Sequence, residues 1–319
     1  MNQSPCKVAV TSRTFSKHER LRKELLNKYP ETDFNDSGES LSGQRLVGFL
    51  SGHTKAITAL ETLDDSILNQ LPELEVVSKY GVGLDMIDLS AMSVMGKKLG
   101  WTSGVNRRSV SELVLSFMIS SLRKLPYCQK EILAGRYRQI RGRELSGRTV
   151  GIIGCGNIGK DLVKMLKPFN CTILVYDIVD YAEFYQRHNI LAVSKEALLN
   201  RAELVTLHVP LDDSTRGMIG KEEFKMMKPE SVLINAARGN LVDEKALLEG
   251  LKAGQPGMAA FDVLAQEPPD DFDLINHDHF IISPHIGGST EEAIWAMGMA
   301  AIEGLDKAID PLEFGFNTI

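Results

Sequence analysis

Three short segments late in the chain carry residue types that move protons and hold carboxylates. They are Ile234-Asn235-Ala236-Ala237-Arg238-Gly239, then Phe261-Asp262-Val263 running on to Gln266-Glu267-Pro268, then Ser283-Pro284-His285-Ile286-Gly287-Gly288-Ser289-Thr290. In each, a strand-to-loop transition would put polar groups in a cleft between domains. Arginine pairs bidentately with a carboxylate through its planar fork. Histidine suits proton transfer, because its ordinary pKa lies near working pH. A glutamate on the far ring nitrogen fixes the tautomer and favours imidazolium. Together these groups suit interconversion of a 2-hydroxy acid and a 2-keto acid, which needs a carboxylate anchor, a base for the hydroxyl proton and a partner for that base.

Such a reaction also needs a hydride carrier. Gly154-Cys155-Gly156-Asn157-Ile158-Gly159 is a G-x-G-x-x-G that follows the apolar run Val150–Ile153 and opens a helix, the context in which this weak motif becomes specific. The first glycine permits a tight turn, the second lets backbone approach a pyrophosphate, and the third allows close helix–strand packing. The helix N-terminus adds free N–H groups. Asp177 stands 18 residues past Gly159. A carboxylate there accepts from both ribose hydroxyls and repels a 2′-phosphate, and no arginine follows it, so NAD is favoured over NADP. Cys155 invites a redox-sensor reading, since a helix N-terminus lowers a thiol pKa. The plainer reading, a small residue in a position that tolerates many, is preferred.

The elements that position these groups alternate short apolar runs with helical stretches, an α/β pattern. Strands are expected at Lys7–Ser12, Glu75–Lys79, Val150–Ile153, Thr172–Tyr176, Leu204–Leu207, Ser231–Asn235 and Met258–Phe261. Helices are expected around Lys17–Lys28 and Gly159–Lys167, with one long helical stretch from Ser109 to Leu133. The last carries few charges over Leu113–Leu122 and is expected to be buried between domains or in a subunit interface. Arg136 to Arg148 reads as a loop, solvated or bordering an anionic site. About 145 residues precede the glycine motif, enough for a separate domain.

The net charge of −6 argues against a sequence-independent nucleic-acid binder, which needs a basic face. No apolar run approaches the roughly 18–20 residues of a membrane span, and Met1 to Lys7 has no signal-like core. The four cysteines, Cys6, Cys128, Cys155 and Cys171, form no C-x-x-C pair and no metal-ligand spacing with histidine, so reduced thiols and a cytoplasmic location are expected. No metal is expected.

The segments quoted above, together with Lys79-Tyr80-Gly81-Val82-Gly83-Leu84-Asp85-Met86-Ile87-Asp88, resemble the D-isomer specific 2-hydroxyacid dehydrogenases from about Val47 to Gly304. The Gly-Gly-Ser-Thr ending and the Lys-Tyr-Gly-Val-Gly turn look nearest the 3-phosphoglycerate dehydrogenase-like branch. The resemblance implies two doubly wound domains, with a Rossmann NAD-binding domain (103–287) inserted into a smaller flavodoxin-like substrate domain (1–102 and 288–319). It implies His285 as acid/base, Glu267 as its partner and Arg238 as the anchor for the substrate's carboxylate and carbonyl. Gly81, Val82 and Gly83 would complete the carboxylate cradle with backbone N–H groups, and Lys79 would face the substrate. Besides Gly154, Gly156 and Gly159, the positions Asn157, Ile158, Asp177, Val209, Pro210, Ala236, Ala237, Asp262, Gly287 and Gly288 would line the NAD site, with Asp262 near the nicotinamide amide. A homodimer is implied as well.

Departures limit the substrate reading. The Leu50-Ser51-Gly52-His53-Thr54 loop shows no arginine, Met86 replaces the usual asparagine, and the sequence ends at Ile319 without the regulatory domain many phosphoglycerate dehydrogenases append. 3-Phosphoglycerate is one candidate; other small oxyanions such as phosphite or formate are an alternative. An NAD(H)-sensing protein of the corepressor type is the alternative from another class, disfavoured because no extended tail is seen. His208 is expected at a strand end beside the cofactor, His277 and His279 in a surface loop, and His18, His53 and His188 at the surface or in loops, His53 with an option to face substrate.

Overall fold

The computed structural model describes residues 7–314. Cys6 and the start of the N-terminal segment lie outside the described residues. The chain divides into two compact units, residues 1–106 with 290–319, and residues 107–289, breaks a few residues beyond those expected from the sequence.

The first unit is built on five parallel strands, β1 (Val8–Val10), β2 (Thr32–Phe34), β3 (Lys55–Thr58), β4 (Val76–Lys79) and β5 (Lys98–Gly100), in the order β2-β1-β3-β4-β5. This is the flavodoxin-like order. Burial of both faces explains the apolar runs at β1 and β3: Val8, Val10 and Ile57 pack toward the helices Glu19–Lys28 and Glu291–Gly304, while Ala9, Ala56 and Val77 pack toward Gly43–Leu50. The helix Glu291–Gly304, from the far end of the chain, lies on β4 and β5 so closely that a Cβ at Gly100 would stand 2.2 Å from the Gly304 carbonyl.

The second unit is a seven-stranded parallel sheet. Its strands are β6 (Thr149–Ile153), β7 (Thr172–Tyr176), β8 (Leu191–Ala192), β9 (Leu204–Leu207), β10 (Val232–Asn235), β11 (Met258–Phe261) and β12 (Phe280–Ile282), in the order β12-β11-β10-β9-β6-β7-β8. The order reverses between β6 and β9, the Rossmann switch point outside which ligands bind. Two apolar layers flank the sheet: Val150, Ile152 and Ile234 with Val114, Phe117 and Met118 on one face, Ile153, Val205 and Leu233 with Leu198 and Phe224 on the other.

The expected long helix is two. Arg107–Arg123 ends where Lys124 adopts a left-handed φ of 53°, and Leu125–Leu133 starts anew with Pro126 in its first turn. The first helix buries Val114, Phe117, Met118 and Leu122 inside the core of its own unit rather than leaving that face for another partner.

Candidate active site

Three adjacent parallel strands, β10, β11 and β12, end in the three polar segments, so strand order alone sets the loops side by side. After β10 the Asn235 side chain ties the turn. Its amide donates to the Arg238 carbonyl (2.8 Å) and its oxygen accepts from the Ala237 N–H (3.1 Å). Gly239 follows, packed so tightly on the next loop that a Cβ would stand 2.0 Å from the Leu264 carbonyl oxygen. No other residue fits. The Arg238 loop is thereby keyed to the loop that carries Glu267.

Glu267 divides its carboxylate between two tasks. Oε1 accepts from the Leu264 N–H at 2.9 Å, and Oε2 lies 2.7 Å from His285 Nδ1. With Nδ1 directed at a carboxylate, Nε2 is the nitrogen left to exchange a proton with a ligand. Both side chains are about half exposed or somewhat less, 48% for His285 and 37% for Glu267, so a ligand can reach them.

His285 has a φ of +54°, unusual for a residue with a side chain. Asp262 holds it there. The His285 N–H donates to the Asp262 carbonyl (2.9 Å), the Ile286 and Gly287 N–H groups donate to its two carboxylate oxygens (2.8 and 2.7 Å), and the Ser283 hydroxyl donates to one of them. Asp262 is only 2% exposed. Expected beside the cofactor amide, it acts in this structure as the staple that fixes the histidine loop. The Ser109 hydroxyl closes the far side by donating to the Gly287 carbonyl.

On the neighbouring strands the glycine loop runs from β6 into the helix Asn157–Leu166. Gly154 has a φ of +94°, and a Cβ there would meet the His208 carbonyl at 2.5 Å; a Cβ at Gly159 would stand 2.3 Å from the Gly154 carbonyl. Gly156 caps the helix without a side chain, so nothing from the cap residue covers the first-turn amides. Asp177, at the end of β7, accepts from the Cys155 and Val179 N–H groups and keeps lone pairs over for hydroxyls.

A family model described as the D-isomer specific 2-hydroxyacid dehydrogenase NAD binding domain matches residues 115–287. The chain is 37% identical over 246 residues to the D-3-phosphoglycerate dehydrogenase of Methanocaldococcus jannaschii, covering 76% of this chain and 47% of that protein. It is 33% identical over 241 residues to the hydroxypyruvate reductase of Thermotoga maritima, covering 74% of this chain and 78% of that one. The chain belongs to the D-isomer specific 2-hydroxyacid dehydrogenase family. A solved D-lactate dehydrogenase from Aquifex aeolicus, complexed with NAD and lactic acid, has the same fold at a TM-score of 0.82, with 22% identity and 94% of each chain covered. The chain spans about half the length of the phosphoglycerate dehydrogenases it matches. Its second unit is the family's NAD-binding domain.

Other residues of this NAD-binding domain sort themselves by burial. Cys155 is fully buried, and burial pushes its thiol up to about 12, so it stays protonated and carries no sensor chemistry. His208, beyond β9 and just before Val209 and Pro210, is partly buried with Nε2 3.0 Å from the Thr206 hydroxyl; desolvation lowers its pKa and favours the neutral ring. Lys160 was not singled out by the sequence, yet its ammonium lies 3.3 Å from the Tyr181 ring centroid, on the residue after the motif. We expect Asp177→Ser to narrow the preference for NADH over NADPH at least about tenfold, since a carboxylate facing a 2′-phosphate costs more than 1.4 kcal/mol in a partly dry site. Parallel kcat/KM measurements with the two cofactors check this, and an unchanged ratio would remove Asp177 from the ribose site.

In the first unit the Gly81-Val82-Gly83 turn follows β4, with Gly81 at a φ of +124° and the Val82 carbonyl accepting from the Trp101 indole (3.1 Å). Lys79 is 4% exposed, its ammonium donating to the Ala59 carbonyl and lying 2.9 Å from Met86 Sδ. The Leu50–Thr54 loop requires correction. It precedes β3 and so stands at the opposite end of the sheet from the Gly81 turn, and His53 there is buried against Asp33 (2.9 Å). The residues that do follow β3 are Ala59, Leu60 and Glu61.

Proposed function

We propose that this chain is an NAD-dependent dehydrogenase interconverting a small D-2-hydroxy acid and its 2-keto acid. The observation that carries the reading is the 2.7 Å His285–Glu267 pair, set on a loop stapled by Asp262 beside the Arg238 loop of an NAD-binding domain. The Gly154–Gly159 loop, the uncapped helix start and Asp177 fit a dinucleotide. Bound NADH supplies the hydride for the carbonyl carbon. Arg238 then holds the substrate carboxylate and stabilises charge growing on the carbonyl oxygen. His285 delivers its Nε2 proton to that oxygen, while Glu267 at Nδ1 balances the imidazolium. In the oxidative direction the same nitrogen takes the hydroxyl proton.

The first unit serves as the substrate domain, its Gly81–Gly83 turn offering backbone N–H groups to a carboxylate. Because the Lys79 ammonium is already engaged with Ala59 and Met86, the reading favours a short unphosphorylated keto acid, of the kind named for the Thermotoga maritima relative, over 3-phosphoglycerate. A cytoplasmic homodimer completes the reading, supported by Leu125, Ile132, Leu133 and Tyr137, all apolar and exposed on one helix and the loop after it.

The test is a panel of glyoxylate, hydroxypyruvate, pyruvate and 3-phosphohydroxypyruvate reduced with NADH by the purified chain. Turnover of at least one unphosphorylated acid, with a D-configured product where the product is chiral, is the expected result. Preference for the phosphorylated acid would reverse the substrate choice. Absence of turnover with every acid would overturn the function.

A further inference from the structure

Glu244 is the first residue of the helix Glu244–Ala253, where the N-cap Asp243 already accepts from the Lys245 and Ala246 N–H groups. An acid in a first turn ordinarily faces water and the helix dipole. Glu244 does otherwise. Its Oε1 accepts from the Ala265 N–H at 2.7 Å, while the adjacent Leu264 N–H donates to Glu267 at 2.9 Å. Two consecutive amides of one loop are thus taken by two carboxylates, one of which holds His285. The opposite side of that loop is fixed by the Gly239 contact, and the Asn240 amide reaches the Ala265 carbonyl.

Carboxylates so placed repel each other. Burial, first, and the charges of Glu267 and Asp243 raise the pKa of Glu244, and no ion pair to it exists among the described residues. A residue that costs stability beside a reacting pair is the pattern of a functional site rather than of a scaffold. We propose that Glu244 is a positioning residue of the reaction: it fixes the Glu267 carboxylate toward His285 and adds negative charge that favours the protonated imidazole. This rests on His285 being the acid/base. The charges that act on Glu244 are Glu267 and, at the N-cap of its helix, Asp243.

Glu244→Gln keeps an acceptor for the Ala265 N–H and removes the charge; Glu244→Ala removes both. With Gln, the midpoint of the pH profile for keto-acid reduction and the NMR titration of the His285 ring in cofactor-free protein should both move to lower pH by a few tenths of a unit. With Ala, kcat should also fall about tenfold at every pH, the scale of a loosened catalytic partner. Stability supplies an independent sign. Because the folded pKa of Glu244 is raised, wild type gives up stability as pH rises from the ordinary carboxylate range through that folded value. The Gln variant should therefore match wild type in acid and unfold at a higher temperature at neutral pH. An unmoved His285 titration, or a Gln variant that melts below wild type at neutral pH, would overturn the proposal. Failure of wild type to reduce any keto acid would instead strike the dehydrogenase reading on which the proposal rests, whereas an unmoved His285 titration in a working dehydrogenase strikes the role of Glu244 alone.

Discussion

Replacing His285 by alanine should lower kcat by about 10²–10⁴-fold, the usual worth of a positioned acid/base, while NADH affinity stays within a few-fold of wild type. The separation follows from where the groups sit. His285 follows β12 at one edge of the sheet order, whereas the Gly154 loop and Asp177 follow β6 and β7, on the other side of the switch point. The loop should survive the substitution. What holds it are the Ile286 and Gly287 N–H groups on the Asp262 carboxylate, and neither bond uses the histidine ring. Alanine at a φ of +54° costs about 1–2 kcal/mol, a strain wild-type His285 already bears. Steady-state kinetics and fluorescence titration with NADH separate the two quantities. A variant that still turns over its best keto acid within tenfold of wild type would sink the mechanism.

Much of this site could be read from the sequence because its chemistry prescribes residue types. A pyrophosphate loop needs glycine where a Cβ would strike backbone, as at Gly154 and Gly159, and a proton relay needs a histidine with an acid. Contacts made through backbone were not legible. Glu244 and Ala265 are far apart in sequence, and an acid opening a helix looks like an ordinary first turn. Gly239 looked like the end of a motif, whereas its missing Cβ is what seats the Arg238 loop on Leu264. The structural task of Asp262 was equally hidden, because nothing in its own neighbourhood reveals that three donors from residues 283–287 converge on it. The misplacement of the Leu50–Thr54 loop has a simpler cause. Where β3 starts decides which end of the sheet a neighbouring loop occupies, and strand boundaries are the weakest feature of a pattern reading. The surroundings of Lys79 were hidden for a related reason: a lysine at a strand end is expected in water, and only the fold shows Ala59 and Met86 closing over it.

The Arg238 side chain should matter nearly as much as His285, in a different way. An arginine that grips the substrate carboxylate contributes in the ground state and the transition state alike. One that also meets the carbonyl oxygen contributes more as charge builds there. Arg238→Met should therefore raise KM and lower kcat together, with kcat/KM falling about 10²–10³-fold, roughly 3–4 kcal/mol for a charge-assisted pair lost in a partly desolvated site. Arg238→Lys should recover only part of that, because an ammonium cannot reproduce the planar two-point grip. The turn itself should persist in both variants, since the Asn235 amide bonds the Arg238 carbonyl and the Gly239 contact is made by backbone. Circular dichroism and NADH binding at wild-type levels would establish that persistence. Given it, a Met variant that keeps kcat/KM within tenfold of wild type would mean that the substrate carboxylate is anchored elsewhere, and Arg238 would lose its assigned role.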